Sequence, residues 1–567
     1  MNRLPRSVRW YLALPLAVAL VLSACGGQTA TTSPEPTNDG TDGESPAAID
    51  SPDQAPEATT VRAAVTGDEG TLNPYTYVTG FPGWNLLMMQ YDGLMQIDVD
   101  GVPQNWLASD IQVNEDGTVY TVALVDGVTW HDGEALTADD VVFTYQYFPT
   151  NPAASRFARD LNGVESVEAV DELTVEITLA APNPSFPLQA LADVPIIPEH
   201  IWADVTTPEE HQFDGPNVGS GPYQITDYSP NQSYTLEANP DYFRGAPAAD
   251  EVILVVFADD AGALAAMNSG EVDVIFGQVA PEQIELLGAR EGVEVLQGPE
   301  FTNQLLYYDT QLPPFDDVAV RQAMSLAIDR QDLVDTVFLG AATVGNAGWT
   351  HPMSAVYNDA VTTEYDAGAA NDLLDDAGYT DSDDDGIREY DSQPMSFELL
   401  TPSGDSLRLR SAELLSTMLA EIGIQANVSS VEQATWEEAV WPGFDVNQGR
   451  NYQLAMWGWS APTQADPGRT GALIHSDPAL GSLNLTGFSN PDADDLANRL
   501  ATEGDPDERQ AILDELQVLF AEELPFITIL YPDGAYAFNA DVYDGWVFVT
   551  GQGIVSKLSL LTPDARP

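Results

Sequence analysis

Asp381-Ser-Asp-Asp-Asp-Gly-Ile-Arg-Glu389 places side-chain oxygens at loop positions 1, 3 and 5, a glycine at 6 and a glutamate at 9. Ca²⁺ takes hard oxygen ligands at this spacing, so Asp381, Asp383, Asp385 and Glu389 are candidate ligands for a structural calcium. Position 12, where a bidentate glutamate would complete the shell, is Ser392. A solvated acidic turn is therefore the stronger reading, and no other cofactor is expected. Nucleophilic chemistry has little to draw on. Cys25 is the sole cysteine, which excludes an internal disulfide and a thiolate metal cluster. Neither Gly-x-Ser-x-Gly nor His-Glu-x-x-His occurs. With 89 acidic residues, carboxylate pairs are everywhere and single out no acid–base couple. His131 has no second histidine at ligand spacing and is expected to hydrogen-bond within its own turn. Trp457 and Trp459 flank Gly458. In an extended segment both rings share one face with the glycine opposite. Trp459 could then wall a pocket and stack on a sugar, a peptide bond or an apolar side chain, with plain core packing as the alternative.

The elements that must position these groups are mixed α and β. Leu173, Val175, Ile177 and Leu179 alternate with polar residues, as in a half-buried strand, and Val119–Leu124 and Val252–Phe257 also read as strands. Thr137-Ala-Asp-Asp140 before Val141 resembles a capping box. Val320, Met324, Ala327, Val334 and Phe338 fall on one helical face ending at Gly340, with Arg321 and Arg330 expected to pair with Asp317 and Asp329. Asp505-Pro506 opens another helix carrying Ile512, Leu516, Leu519 and Phe520. The 567 residues exceed one ordinary core, and no internal repeat is seen.

Residues 1–24 read as a signal peptide: Arg3, Arg6 and Arg9 precede an apolar run from Tyr11 to Val21 that is too short to span a bilayer stably. Leu22-Ser-Ala-Cys25 resembles a bacterial lipobox, in which the cysteine thiol receives a diacylglycerol. Residues 25–60 then form a flexible tether with a span of roughly 30 Å. The formal charge of −70 repels nucleic acid and anionic headgroups, leaving the lipid as the membrane contact. Lys557 is the only lysine. An acidic, lysine-poor surface suits a saline habitat or follows from GC-rich codon bias.

Three blocks carry a resemblance. Tyr120 to Gly133, with its Gly-Val-Thr-Trp-His-Asp-Gly turn, continues through Leu136 to Phe143. Val218-Gly-Ser-Gly-Pro-Tyr223 is followed by Asn239-Pro-Asp-Tyr-Phe-Arg-Gly245 and Ser269-Gly-Glu-Val-Asp273. Pro314 to Ala323 is followed by Ala327-Ile-Asp-Arg330. In this order they resemble extracellular solute-binding protein family 5, the peptide-, dipeptide- and nickel-binding components of ABC importers.

That resemblance implies an α/β, two-lobed, three-domain periplasmic-binding-protein-like fold of type II, in the cluster with an extra domain. Residues 61–90, 211–300 and 531–567 would form the main domain of lobe 1, 91–210 its extra domain, and 301–530 lobe 2. It also implies a monomeric binder that captures a peptide or other small molecule and delivers it to a permease and ATPase, outside the membrane. In the family's peptide binders an aspartate three residues after a Gly-Trp pair holds the ligand's α-ammonium. Here Pro462 stands at that position after Gly458-Trp459, with Asp466-Pro467 following. Asp466 is then a candidate to take over, or the cargo is an oligosaccharide or other solute. Tyr75, Trp84 and Asn85 lie where the family's first lobe approaches the cleft. A ligand sensor and an extracytoplasmic hydrolase are the competing classes.

Overall fold

The computed structural model describes residues 59–76, 80–150, 155–211 and 217–567. The signal peptide, Cys25 and nearly all of the tether lie outside the described residues.

Apolar side chains gather into separate cores. Two clusters draw their buried members only from residues 305–530. Those of a third run from Tyr75 to Trp202 around the four-stranded antiparallel sheet that holds Val119–Leu124 and Thr174–Leu179. Others combine residues near 61–89, 223–287 and 535–560. This is a two-lobed α/β body, and one mixed sheet of twelve strands joins the lobes. At its centre runs the strand Ile527–Asn539. Its first residues pair with Gln304–Leu306 and Ala342–Val344, and Asp533 to Asn539 pair with Val293–Pro299. Ile527, Ile529 and Leu530 are buried in one lobe, and Ala535 to Phe538 in the other. Half-buried Pro532 and Asp533 separate the two runs.

Local expectations hold where the signal is local. The strands form over Val119–Leu124, Thr174–Leu179 and Glu251–Val256. The Thr137 amide donates to Asp140 Oδ2 at 2.9 Å in the capping box of Ala138–Tyr147. Asp505 caps Pro506–Glu523. The helix expected through Gly340 is instead two, Val318–Leu326 and Arg330–Val337. Asp329 leaves helical geometry to accept from the Asp332 amide, and its cap starts the second helix. The expected arginine pairs are also corrected, because both aspartates are occupied as caps. Arg330 is buried and donates to Thr528 O, Ser325 O and Ser325 Oγ, while Arg321 reaches Glu523 and backbone carbonyls.

His131 bonds outside its turn: Nδ1 accepts from the Gly219 amide at 3.0 Å and Nε2 lies 2.9 Å from Gly221 O. A Cβ on Gly219 would lie 2.0 Å from Gln90 O, so this close approach requires glycine. The neighbouring Asp92 is fully buried and accepts from Ser220 Oγ, Trp106 Nε1, Tyr242 OH and, at 2.5 Å, Lys557 Nζ. The only lysine thus neutralises a carboxylate in the interior. Lys557→Met should leave that carboxylate without a counter-charge and lower stability by about 3–5 kcal/mol, measured by chemical denaturation.

Glu300 lies where the chain crosses between lobes, accepting from Tyr536 OH and Gln278 Nε2. Burial pushes its carboxyl from 4.5 up to about 7, against those two donors. The folded chain therefore holds this proton more tightly than the unfolded chain. The associated stability is complete below 4.5 and lost as pH rises through about 7. Glu300→Gln should flatten the fall in Tm between pH 5 and 8, and above pH 7 the variant should exceed the parent by up to about 3 kcal/mol.

Candidate functional site

Ser396–Pro402 runs parallel to both Gln425–Val431 and Leu454–Trp457, so the carboxyl ends of all three strands share one edge of the sheet. In α/β sheets that edge is where ligands bind, because connecting loops and helix N-termini converge there. The edge carries a wall of indoles. Trp457 ends its strand and stacks on Trp436, with centroids 4.4 Å apart and planes 22° apart. The Arg408 guanidinium lies 5.2 Å from the Trp457 ring. Trp459 meets Trp441 edge-on at 5.8 Å, and Trp441 meets the exposed ring of Phe444 at 5.2 Å.

Trp457 and Trp459 therefore lie in the same aromatic cluster. Gly458 faces away from it, where a Cβ would lie 1.8 Å from Asn303 O. Asn303 brackets the second tryptophan: Oδ1 accepts from the Trp459 amide at 3.0 Å and Nδ2 donates to Trp459 O at 3.4 Å. Sequence reasoning passed over Asn303, Arg408, Trp436 and Trp441. Arg408 carried one signal, as a cation at a helix start in a chain of 89 acids and 19 bases.

The wall is rich in donors. Among the described residues, Nε1 of Trp436, Trp441 and Trp457 and Nε of Arg408 are buried without an acceptor. Burial pulls the Arg408 pKa down, opposed by Asp405 with its Oδ2 at 3.4 Å. A group presenting several oxygens would satisfy these N–H groups.

The other candidates lie elsewhere. Tyr75 is wholly buried, stacked on Phe148 at 5.6 Å with its hydroxyl donating to Phe148 O, so it packs a core and offers no surface to a cleft. Trp84 Nε1 donates to Asp193 Oδ1 at 2.9 Å, and Asn85 Nδ2 donates to Val555 O at 2.6 Å. Asp466 is buried where its loop meets the body around the four-stranded sheet, accepting from Ser185 Oγ at 2.7 Å and Gln189 Nε2 at 2.5 Å. Pro462 falls in the short helix Ala461–Ala465.

In the acidic loop, exposed Asp381, Asp383 and Asp385 bring carboxylate oxygens within 4.8 Å of one another. Those oxygens also accept amides of the loop: Asp381 from Asp385 and Gly386, and Asp385 from Ile387. Glu389 is outside this trio and accepts from the Ser382 amide at 2.9 Å. These bonds are those of the turn itself.

Comparison with known proteins places this geometry. The pattern of the bacterial extracellular solute-binding proteins, family 5, middle region, matches residues 102–479. The oligopeptide-binding protein AppA of Bacillus subtilis is 27% identical over 537 residues, 93% of each chain. A putative ABC transporter peptide-binding protein of Brucella ovis is 30% identical over 382 residues, 66% of this chain and 69% of its own. Among solved structures, the ABC transporter substrate-binding protein CtaP of Listeria monocytogenes aligns with a TM-score of 0.78 at 26% identity, covering 89% of this chain and 99% of that one. AppA of Bacillus subtilis, solved with a nonapeptide, aligns at 0.71 and 25%, covering 88% and 98%. The resemblance carried by the three sequence blocks is borne out, and with it the two-lobed α/β fold. With the match spanning more than half its length, the chain belongs to the bacterial extracellular solute-binding proteins of family 5.

Proposed function

We propose that this chain is the lipid-anchored substrate-binding component of an ABC importer, capturing an oligopeptide-class solute by closure of its two lobes and delivering it unaltered to the permease. The observation that carries this reading is the indole and guanidinium wall, whose buried N–H donors lack acceptors. An extended peptide presents carbonyl oxygens at regular intervals along an otherwise apolar surface, which matches such a wall. The curated relatives named for peptide binding support the same cargo class. A ligand that touched both lobes would favour closure by its differential affinity for the closed state. Diacylglycerol on Cys25 would keep the body beside its membrane partner, and among the described residues no helix is long and apolar enough to cross a membrane.

One observation favours a second cargo. Proline at 462 and the engagement of Asp466 between the lobes leave no carboxylate in this segment for a peptide ammonium. An oligosaccharide stacking on Trp459 needs none.

Thermal-shift screening of peptide and saccharide libraries should yield a ligand that raises Tm and is recovered with unchanged mass. A ligand recovered as a cleaved product would replace this reading with a hydrolase. Trp459→Ala and Arg408→Gln should each weaken binding of that ligand by roughly tenfold or more, measured by calorimetry. Cys25→Ser should move the protein from the membrane to the soluble fraction of its native host.

A further inference from the structure

Asp466 lies in the segment whose cores draw on residues 305–530, and the donors to its side chain come largely from the body around the four-stranded sheet, which packs through Trp106 and Ala192 onto Tyr242 and Val549 of the other lobe. Ser185 Oγ donates to Oδ1 at 2.7 Å and Gln189 Nε2 to Oδ2 at 2.5 Å, while only the Gly468 amide, at 2.9 Å, is local. The carboxylate is 2% exposed and is flanked by Arg469, whose Nε lies 3.5 Å from Oδ2. The same guanidinium reaches across to Asp160 Oδ1 at 3.8 Å, so one cation lies between acids of both lobes. Arg509 adds positive charge nearby. Gly468 marks how tightly the surfaces meet: a Cβ there would lie 2.3 Å from Ser185 Oγ, although its backbone needs no left-handed conformation.

A buried carboxylate is costly without donors, and here most donors vanish if the lobes part. We infer that Asp466, with Ser185, Gln189 and Arg469, is a latch that holds the two lobes together before any ligand arrives. It acts by positioning the lobes, and it builds on the solute-binding reading by setting the fraction of chains already in the binding-competent arrangement. Apparent affinity scales with that fraction.

The latch is tested on the full chain without ligand, by small-angle X-ray scattering with unfolding followed in parallel by circular dichroism. Ser185→Ala/Gln189→Ala leaves the Asp466 loop untouched, and Gly468→Ala acts as a wedge from the opposite side. Both should enlarge the radius of gyration by about 1 Å or more, over the roughly 24 Å expected of a compact body of this length, while cooperative unfolding is retained. Asp466→Asn should expand it in the same direction. Unchanged scattering in the first two variants would overturn the proposal, as would expansion accompanied by loss of cooperative unfolding. Because no ligand is present, the outcome is independent of cargo. Expansion beside a ligand screen without hits would leave the latch standing and remove the transport reading instead.

Discussion

Residues 527–539 form one continuous strand whose first half is buried in one lobe and whose second half is buried in the other, so the lobes share a backbone that neither can release. Every other connection is arranged around that constraint. The return crossing from Pro299 to Gln304 runs beside it, tied by the Glu300 carboxyl to Tyr536. Pro532 and Asp533, the half-buried pair between the two buried runs, are where that strand passes from one lobe to the other. The strand that carries Trp457 is separated from the shared strand by one intervening strand, Gln304–Tyr308.

The glycine-rich and aromatic blocks that marked the family hold one another together. His131 from one block clasps Gly219 and Gly221 from another, while Ser220 and Tyr242 converge with Trp106 on Asp92. Apart from the local Trp106 bond, these contacts join residues roughly 90 to 150 positions apart in the chain. A motif can thus identify a fold through the contacts that assemble it.

What could be read from the sequence was whatever depends on neighbours along the chain. Alternation at Val175, Ile177 and Leu179, the Thr137–Asp140 box and the Asp505 cap are local effects of backbone geometry, and all appear as expected. Periodicity alone could not show that Asp329 would cap a new helix, because an aspartate on an otherwise helical face reads as solvated. Arg330 looked like a surface partner for its neighbour, and the carbonyls that hold it come from residues up to 198 positions away. Trp457 and Trp459 were visible through their spacing about Gly458, but Asn303 and Trp441 reach them only through the folded sheet. Asp466 was noticed for its charge, and its partners lie about 280 residues upstream.

The placement of Lys557 also shapes what can be done to this molecule. Its amine is enclosed by Asp92, the Tyr91 carbonyl and the Trp106 ring, and no second lysine exists. Acylating reagents that couple proteins to resins, dyes or one another through surface lysines will find none to react with on the folded body. Coupling chemistry is better directed at carboxylates, of which the sequence has 89.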